Sequence, residues 1–133
     1  MSDLDQEKNL KPDQSGSPQR FLDSILTAHI DRPLGSRHPQ HDFIYPLNYG
    51  YLPGVRGADG EDLDVYVLGV FEPLETFTGR CIAVLQRLDD EDDKLILAPV
   101  GVDYSADQIR ALVEFQERFF HSRIVRPGGH HGA

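Results

Sequence analysis

Two short windows of carboxylates are the residues of this sequence best placed to do chemistry. Asp59-Gly-Glu61-Asp62-Leu-Asp64 and Asp89-Asp90-Glu91-Asp92-Asp93 together hold nine of the 22 acidic residues. Like charges crowded this closely raise one another's pKa and strain the fold unless a cation offsets them. Oxygen-only ligands of this kind suit Mg2+, Mn2+ or Ca2+. For either window alone, a solvated acidic turn is the plainer explanation. The first window is not an EF-hand loop, because it lacks that loop's spacing and terminal glutamate. Lys94 follows directly on the second window and opens the run Lys94-Leu-Ile-Leu-Ala98, where a period of two puts Lys94, Ile96 and Ala98 on one apolar face. An ammonium on such a face needs either a loop carboxylate or an anionic ligand such as a phosphate. A third group, Tyr45-Pro-Leu-Asn48-Tyr49-Gly50-Tyr51, gathers three phenols near one turn where Gly50 permits close backbone approach.

The elements that must position these groups are mostly strands. Asp64–Val70 is rich in β-branched residues, Arg80–Gln86 is apolar on both faces, and Lys94–Ala98 ends at Pro99. Turn signals separate them at Pro53-Gly54, Asp59-Gly60, Glu72-Pro73, Thr78-Gly79 and the acidic run 89–93. Ser105-Ala-Asp-Gln108 is a capping box, and Ile109, Leu112, Val113, Phe119 and Phe120 follow as a helical stripe that Pro127-Gly-Gly should stop. Ser17-Pro18 reads as the start of a short helix with Phe21, Leu22, Ile25 and Leu26 on one face. The fold class expected is α+β, mainly β: a small barrel with a flanking C-terminal helix. Residues 1–17, with three large apolar side chains, read as a disordered arm; 18–126 form the barrel domain, and 127–133, including His130 and His131, a flexible tail.

Composition narrows the function. The chain has 133 residues, one domain's worth, and 39% hydrophobic content, which excludes disorder of the whole. A net charge of −9 repels a phosphodiester backbone, so no nucleic-acid partner is expected. An acidic protein still binds a small polyphosphate when divalent cations convert its carboxylates into a positive surface. No apolar run is long enough to span a membrane and no signal peptide precedes the domain, so a cytoplasmic protein with no membrane partner is expected. The single cysteine, Cys81, allows neither an internal disulfide nor a thiolate metal site.

Taken in order, Tyr45-Pro-x-Asn-Tyr-Gly-Tyr51, Asp59-Gly-Glu-Asp-Leu-Asp64-Val, the acidic loop ending in Asp92-x-Lys94-Leu, Pro99 and a terminal helix resemble the soluble family I inorganic pyrophosphatases over residues 29–121. The resemblance implies an OB-like five-stranded barrel and Mg2+-dependent hydrolysis of inorganic diphosphate to two phosphates, with Mn2+ as an alternative metal. It implies that Asp59, Asp64 and Asp92 bind activating metals, that Asp89 helps a further metal arriving with the substrate, and that Glu61 orients and deprotonates the attacking water. Lys94 and Tyr49 would contact phosphate oxygens, with Arg37 or Arg32 supplying further positive charge. A small-molecule diphosphate is the partner implied, in a homo-oligomer. Two metals held by shared carboxylates would acidify a bridging water and clamp the phosphorus, leaving positioning and charge neutralisation to the protein.

The sequence also departs from the family. Glu61 stands where the family has aspartate, the segment before Tyr45 lacks a Lys-x-Glu hairpin, and Phe119 and Phe120 stand where the family has a Tyr-Lys pair that holds the outgoing phosphate. Two alternatives follow: a non-catalytic module binding divalent metal and phosphate, or a hydrolase of a larger diphosphate compound.

Overall fold

A computed structural model describes residues 17–129. The strands are β1 (Ile25–Arg32), β2 (Asn48–Arg56), β3 (Asp62–Val67), β4 (Thr76–Arg87), β5 (Lys94–Ala98) and β6 (Ser122–Val125), with one α-helix, α1 (Ala106–Glu117), between β5 and β6. The sheet order is β1-β2-β3-β5-β4, and a β1–β4 pairing closes these five strands into the expected barrel. The β3–β5 pair is parallel and the other pairs are antiparallel, the arrangement of an OB-like fold.

Period-two alternation divides the apolar residues between the two faces of the barrel wall. Leu63, Val65 and Val67 of β3, with Leu95 and Leu97 of β5, fill the interior beside Ala28, Cys81 and Val84. Tyr66, Ile96 and Ala98 face outward under α1, which covers them with Ile109 and Val113. Lys94 and Asp64 share that outer face by the same alternation. Gly50 makes room where β2 crosses β1, since a Cβ there would strike the His29 carbonyl oxygen.

Three expectations need correction. The N-terminal helix is a single 3-10 turn, Pro18–Phe21, capped by the Ser17 hydroxyl. Asp23, at φ 69°, turns the chain so that Ile25 and Leu26 enter β1 and pair with Arg80 and Gly79. Helix α1 carries the Ser105–Gln108 capping box in full but ends at Glu117, well before Pro127. The chain then returns as β6, because Ile124 and Val125, alternating in extended backbone, bury against opposite sides of the wall beside β4. Residues 127–129 form a short 3-10 turn. Residues 1–16 of the arm expected at 1–17, and His130 and His131, lie outside the described residues. No described helix is long and apolar enough to cross a membrane.

Candidate active site

The parallel register of β3 and β5 sets Asp64 beside Lys94, and the antiparallel register of β2 and β3 sets Tyr49 beside Tyr66. Lys94 is buried, and its Nζ donates to Asp64 Oδ2 at 2.7 Å and to Asp92 Oδ2 at 2.9 Å. The same ammonium lies 5.5 Å from the centre of the Tyr49 ring. A strand carboxylate and a loop carboxylate thus hold Lys94, which also lines a cavity of about 430 Å³.

Behind this floor runs a buried polar network that the sequence reading missed. Arg87, the last residue of β4, donates through Nε to Glu117 Oε1 at 3.1 Å and through Nη2 to Glu117 Oε2 at 2.9 Å. Its Nη1 reaches Asp92 Oδ2 at 3.3 Å, and its guanidinium lies 3.5 Å over the Phe120 ring. The Tyr66 hydroxyl donates to Glu117 Oε2 at 2.6 Å, Gln116 Nε2 donates to Tyr66 Oη at 2.6 Å, and the Tyr45 hydroxyl donates to Gln116 Oε1 at 2.9 Å. The available signal was helical phase: Gln116 and Glu117 continue the Ile109 and Val113 stripe that faces the barrel.

Burial sets the protonation of these groups. It raises the Asp64 carboxyl above its ordinary value, with Lys94 acting in the opposite sense. It pushes the Tyr45 phenol up to about 12 and those of Tyr49 and Tyr66 well above 10, so all three remain donors at neutral pH. Burial works against the Arg87 charge, but the Glu117 carboxylate and then Asp92 more than offset it. His38 Nδ1 accepts the backbone N–H groups of Gln40 and His41 at 2.9 and 3.0 Å, a geometry that needs this nitrogen unprotonated.

Of the residues singled out in the sequence, Tyr49, Asp64, Asp92 and Lys94 line the cavity together, with Arg32 and Asp31. Glu61 lines an adjoining hollow that shares Asp31 and Asp64 with it. Asp59 lines neither; its Oδ1 accepts the Glu61 backbone N–H at 3.0 Å inside the β2–β3 turn. Asp89 is turned to His121, accepting its backbone N–H at 2.6 Å, and that hydrogen bond leads the interactions holding its carboxyl below the usual range. Arg37 pairs with the exposed Asp42 at 3.0 Å, outside the cavity lining.

Comparison with known proteins agrees with this arrangement of strands. The family model described as inorganic pyrophosphatase matches residues 27–124. The chain is 29% identical over 118 residues to the inorganic pyrophosphatase of Bacillus sp. (strain PS3), covering 73% of this chain and 70% of that protein. It is 33% identical over 77 residues to the inorganic pyrophosphatase of Ralstonia nicotianae, where the match spans 55% of this chain and 41% of the relative. The crystal structure of inorganic pyrophosphatase from Ehrlichia chaffeensis superposes with a TM-score of 0.63 at 19% identity, covering 84% of this chain and 90% of the other, a likeness of fold. On a match that takes in most of its length, the chain belongs to the inorganic pyrophosphatase family.

Proposed function

We propose that this protein hydrolyses inorganic diphosphate to two phosphates in the cavity above β3 and β5, using Mg2+, with Mn2+ able to replace it. The observation that carries the reading is the meeting of Asp64 and Asp92 at the Lys94 ammonium. Around the cavity, Asp31, Asp64 and Asp92 are matched by Arg32, Arg87 and Lys94. A bound diphosphate adds negative charge that these cations, already facing carboxylates, do not balance.

The donor set fits a hard divalent ion. Asp64 and Asp92 offer oxygen ligands, and among the described residues no group of three or more His, Cys, Asp or Glu side chains forms a ready-made cage. An ion held by one or two carboxylates together with substrate phosphate and water is the habit of Mg2+. Asp64 and Asp92 would hold it. When bound, the ion neutralises phosphate oxygens and acidifies water. Asp59 and Asp89 would have to leave their hydrogen bonds to the Glu61 N–H and to His121 before serving as further ligands.

The chain's own groups do the rest. Lys94 Nζ, fixed by its strand, donates to phosphate oxygens, and the protonated Tyr49 hydroxyl adds a second donor. Arg32 supplies a further cation to the lining of the same cavity. Glu61 accepts the proton of the attacking water from the adjoining hollow, where Asp64 forms the common wall. A cytoplasmic homo-oligomer is the setting that family membership favours.

A colorimetric assay of phosphate release from diphosphate, with and without millimolar Mg2+, tests the proposal. Release should require the metal and should fall about 10²- to 10³-fold in Asp92→Asn, the cost of losing one preorganised charged group. No release above blank with either Mg2+ or Mn2+ would contradict it.

A further inference from the structure

Two chemically different groups of side chains line the cavity. Asp64, Asp92, Lys94 and Arg32 supply charge to its lining, and His38, His41, Phe119 and Phe120 supply a wall of planar rings. The rings come from separate segments. His41, in the β1–β2 connection, stacks on Phe119, beyond α1, with ring centres 4.7 Å apart and planes 13° apart. Phe119 is 50% exposed.

A bare phosphate gains little from such a wall. Aromatic faces carry negative charge density and turn phosphate oxygens away, whereas they accept another flat ring by offset stacking. The cation beside Phe120 is already engaged: Arg87 lies over that ring and is held by Glu117 and Asp92. The His38 ring presents no cation either, since its Nδ1 accepts two backbone N–H groups. Gln40, on the same wall, brings an amide that both donates and accepts, as the edge of a heterocyclic base requires. At about 430 Å³ the cavity is of the size that houses drug-sized ligands.

We infer that the site takes a diphosphate bearing a planar heterocycle, of the nucleoside diphosphate class, with its terminal phosphate at Lys94 and its base on the His41–Phe119 face. The inference rests on the proposed diphosphate hydrolysis and extends it to an organic substrate. In the reaction the water oxygen bonds to the terminal phosphorus and the bridging P–O bond breaks. Its electron pair leaves with the nucleoside monophosphate, and water's proton passes to Glu61 and from there to solvent, giving one monophosphate and one inorganic phosphate.

The test compares ADP with inorganic diphosphate on the full chain in millimolar Mg2+, reading both kcat/KM by phosphate release and Kd by calorimetry, with Phe119→Ala and His41→Ala alongside. ADP should bind more tightly than inorganic diphosphate. Each variant should lower the ratio of ADP to diphosphate in kcat/KM and in affinity by about tenfold, within the range of a lost base stack. If inorganic diphosphate is turned over while the ratio is the same in the variants, the ring-wall inference is overturned and the diphosphatase reading stands. If neither compound is hydrolysed but ADP still binds in a Phe119-dependent way, hydrolysis is overturned and the ring wall is upheld as a binding surface. If ADP binds no better than diphosphate, the inference fails whatever the rates.

Discussion

Asp64 and Lys94 are register partners on the parallel strands β3 and β5, and their charged ends meet at 2.7 Å. The contact joins residues 30 apart in the chain through a pairing that is also part of the barrel wall. The fold and the site therefore depend on one strand register. A one-residue slip of β5 would turn Lys94 into the barrel and Leu95 out of it.

Asp64→Asn follows from this contact. The variant should keep its fold, because Lys94 retains Asp92 and the burial that raises the Asp64 carboxyl no longer acts on a charge. Circular dichroism should be that of the wild type, while the rise in melting temperature on adding Mg2+ with diphosphate should be lost. For the wild type that rise corresponds to about 2.7 kcal/mol at one hundred times Kd.

Arg87 and Glu117 make the most buried ion pair described at the site, with side-chain exposures of 5% and 2%. Removing either partner leaves the other charged and desolvated. Glu117→Gln or Arg87→Met should each cost about 3–5 kcal/mol in urea denaturation. The double variant Arg87→Met/Glu117→Leu should cost less than the sum of the single ones. Strict additivity would mean that the pair does not hold α1 to the end of β4.

Acid should expose a second ion pair. Two hydrogen bonds from Arg126, at 3.0 and 2.9 Å, are the largest influence holding the Asp103 carboxyl below 3.8. A folded-state pKa below the unfolded one gives stability that is present above 3.8 and lost as pH falls through the folded value. Asp103→Asn should therefore denature earlier than wild type at pH 7, by under about 1 kcal/mol because the pair is partly exposed. The two urea midpoints should converge in acid, and a gap that widened there would contradict the assignment.

Cys81 is fully buried on the inner face of β4, and burial pushes its thiol up to about 11. It should resist iodoacetamide at pH 8 in the folded protein and react only as fast as the chain unfolds. Rapid labelling of the native state would show that the barrel opens locally at β4.

Strands β3, β4 and β5 are legible in the sequence because apolar residues run along both faces, and α1 because its capping box is local. The end of α1 is not legible: Phe119 and Phe120 keep an approximate helical phase past Glu117, and only pairing with β4 draws the following residues into β6. Ile25 and Leu26 mislead for the same reason, fitting a helical face until β1 finds its partner. At the site, the period of two correctly puts Lys94 on one covered face with Ile96 and Ala98. Nothing local reveals that Asp64 and Asp92 both reach it, while Asp59 folds back on its own turn and Asp89 meets His121. Acidic windows mark where such carboxylates are dense; the loop backbone decides which of them turn to the cavity.

Binding of Mn2+, read as loss of the free-ion signal in electron paramagnetic resonance with diphosphate present, tests the central claim most directly. The wild type should bind the ion, and Asp64→Asn and Asp92→Asn should each weaken that binding at least about tenfold. Equal Mn2+ binding by all three proteins, or none by the wild type, would contradict the claim that these two carboxylates form a divalent-metal site beside Lys94.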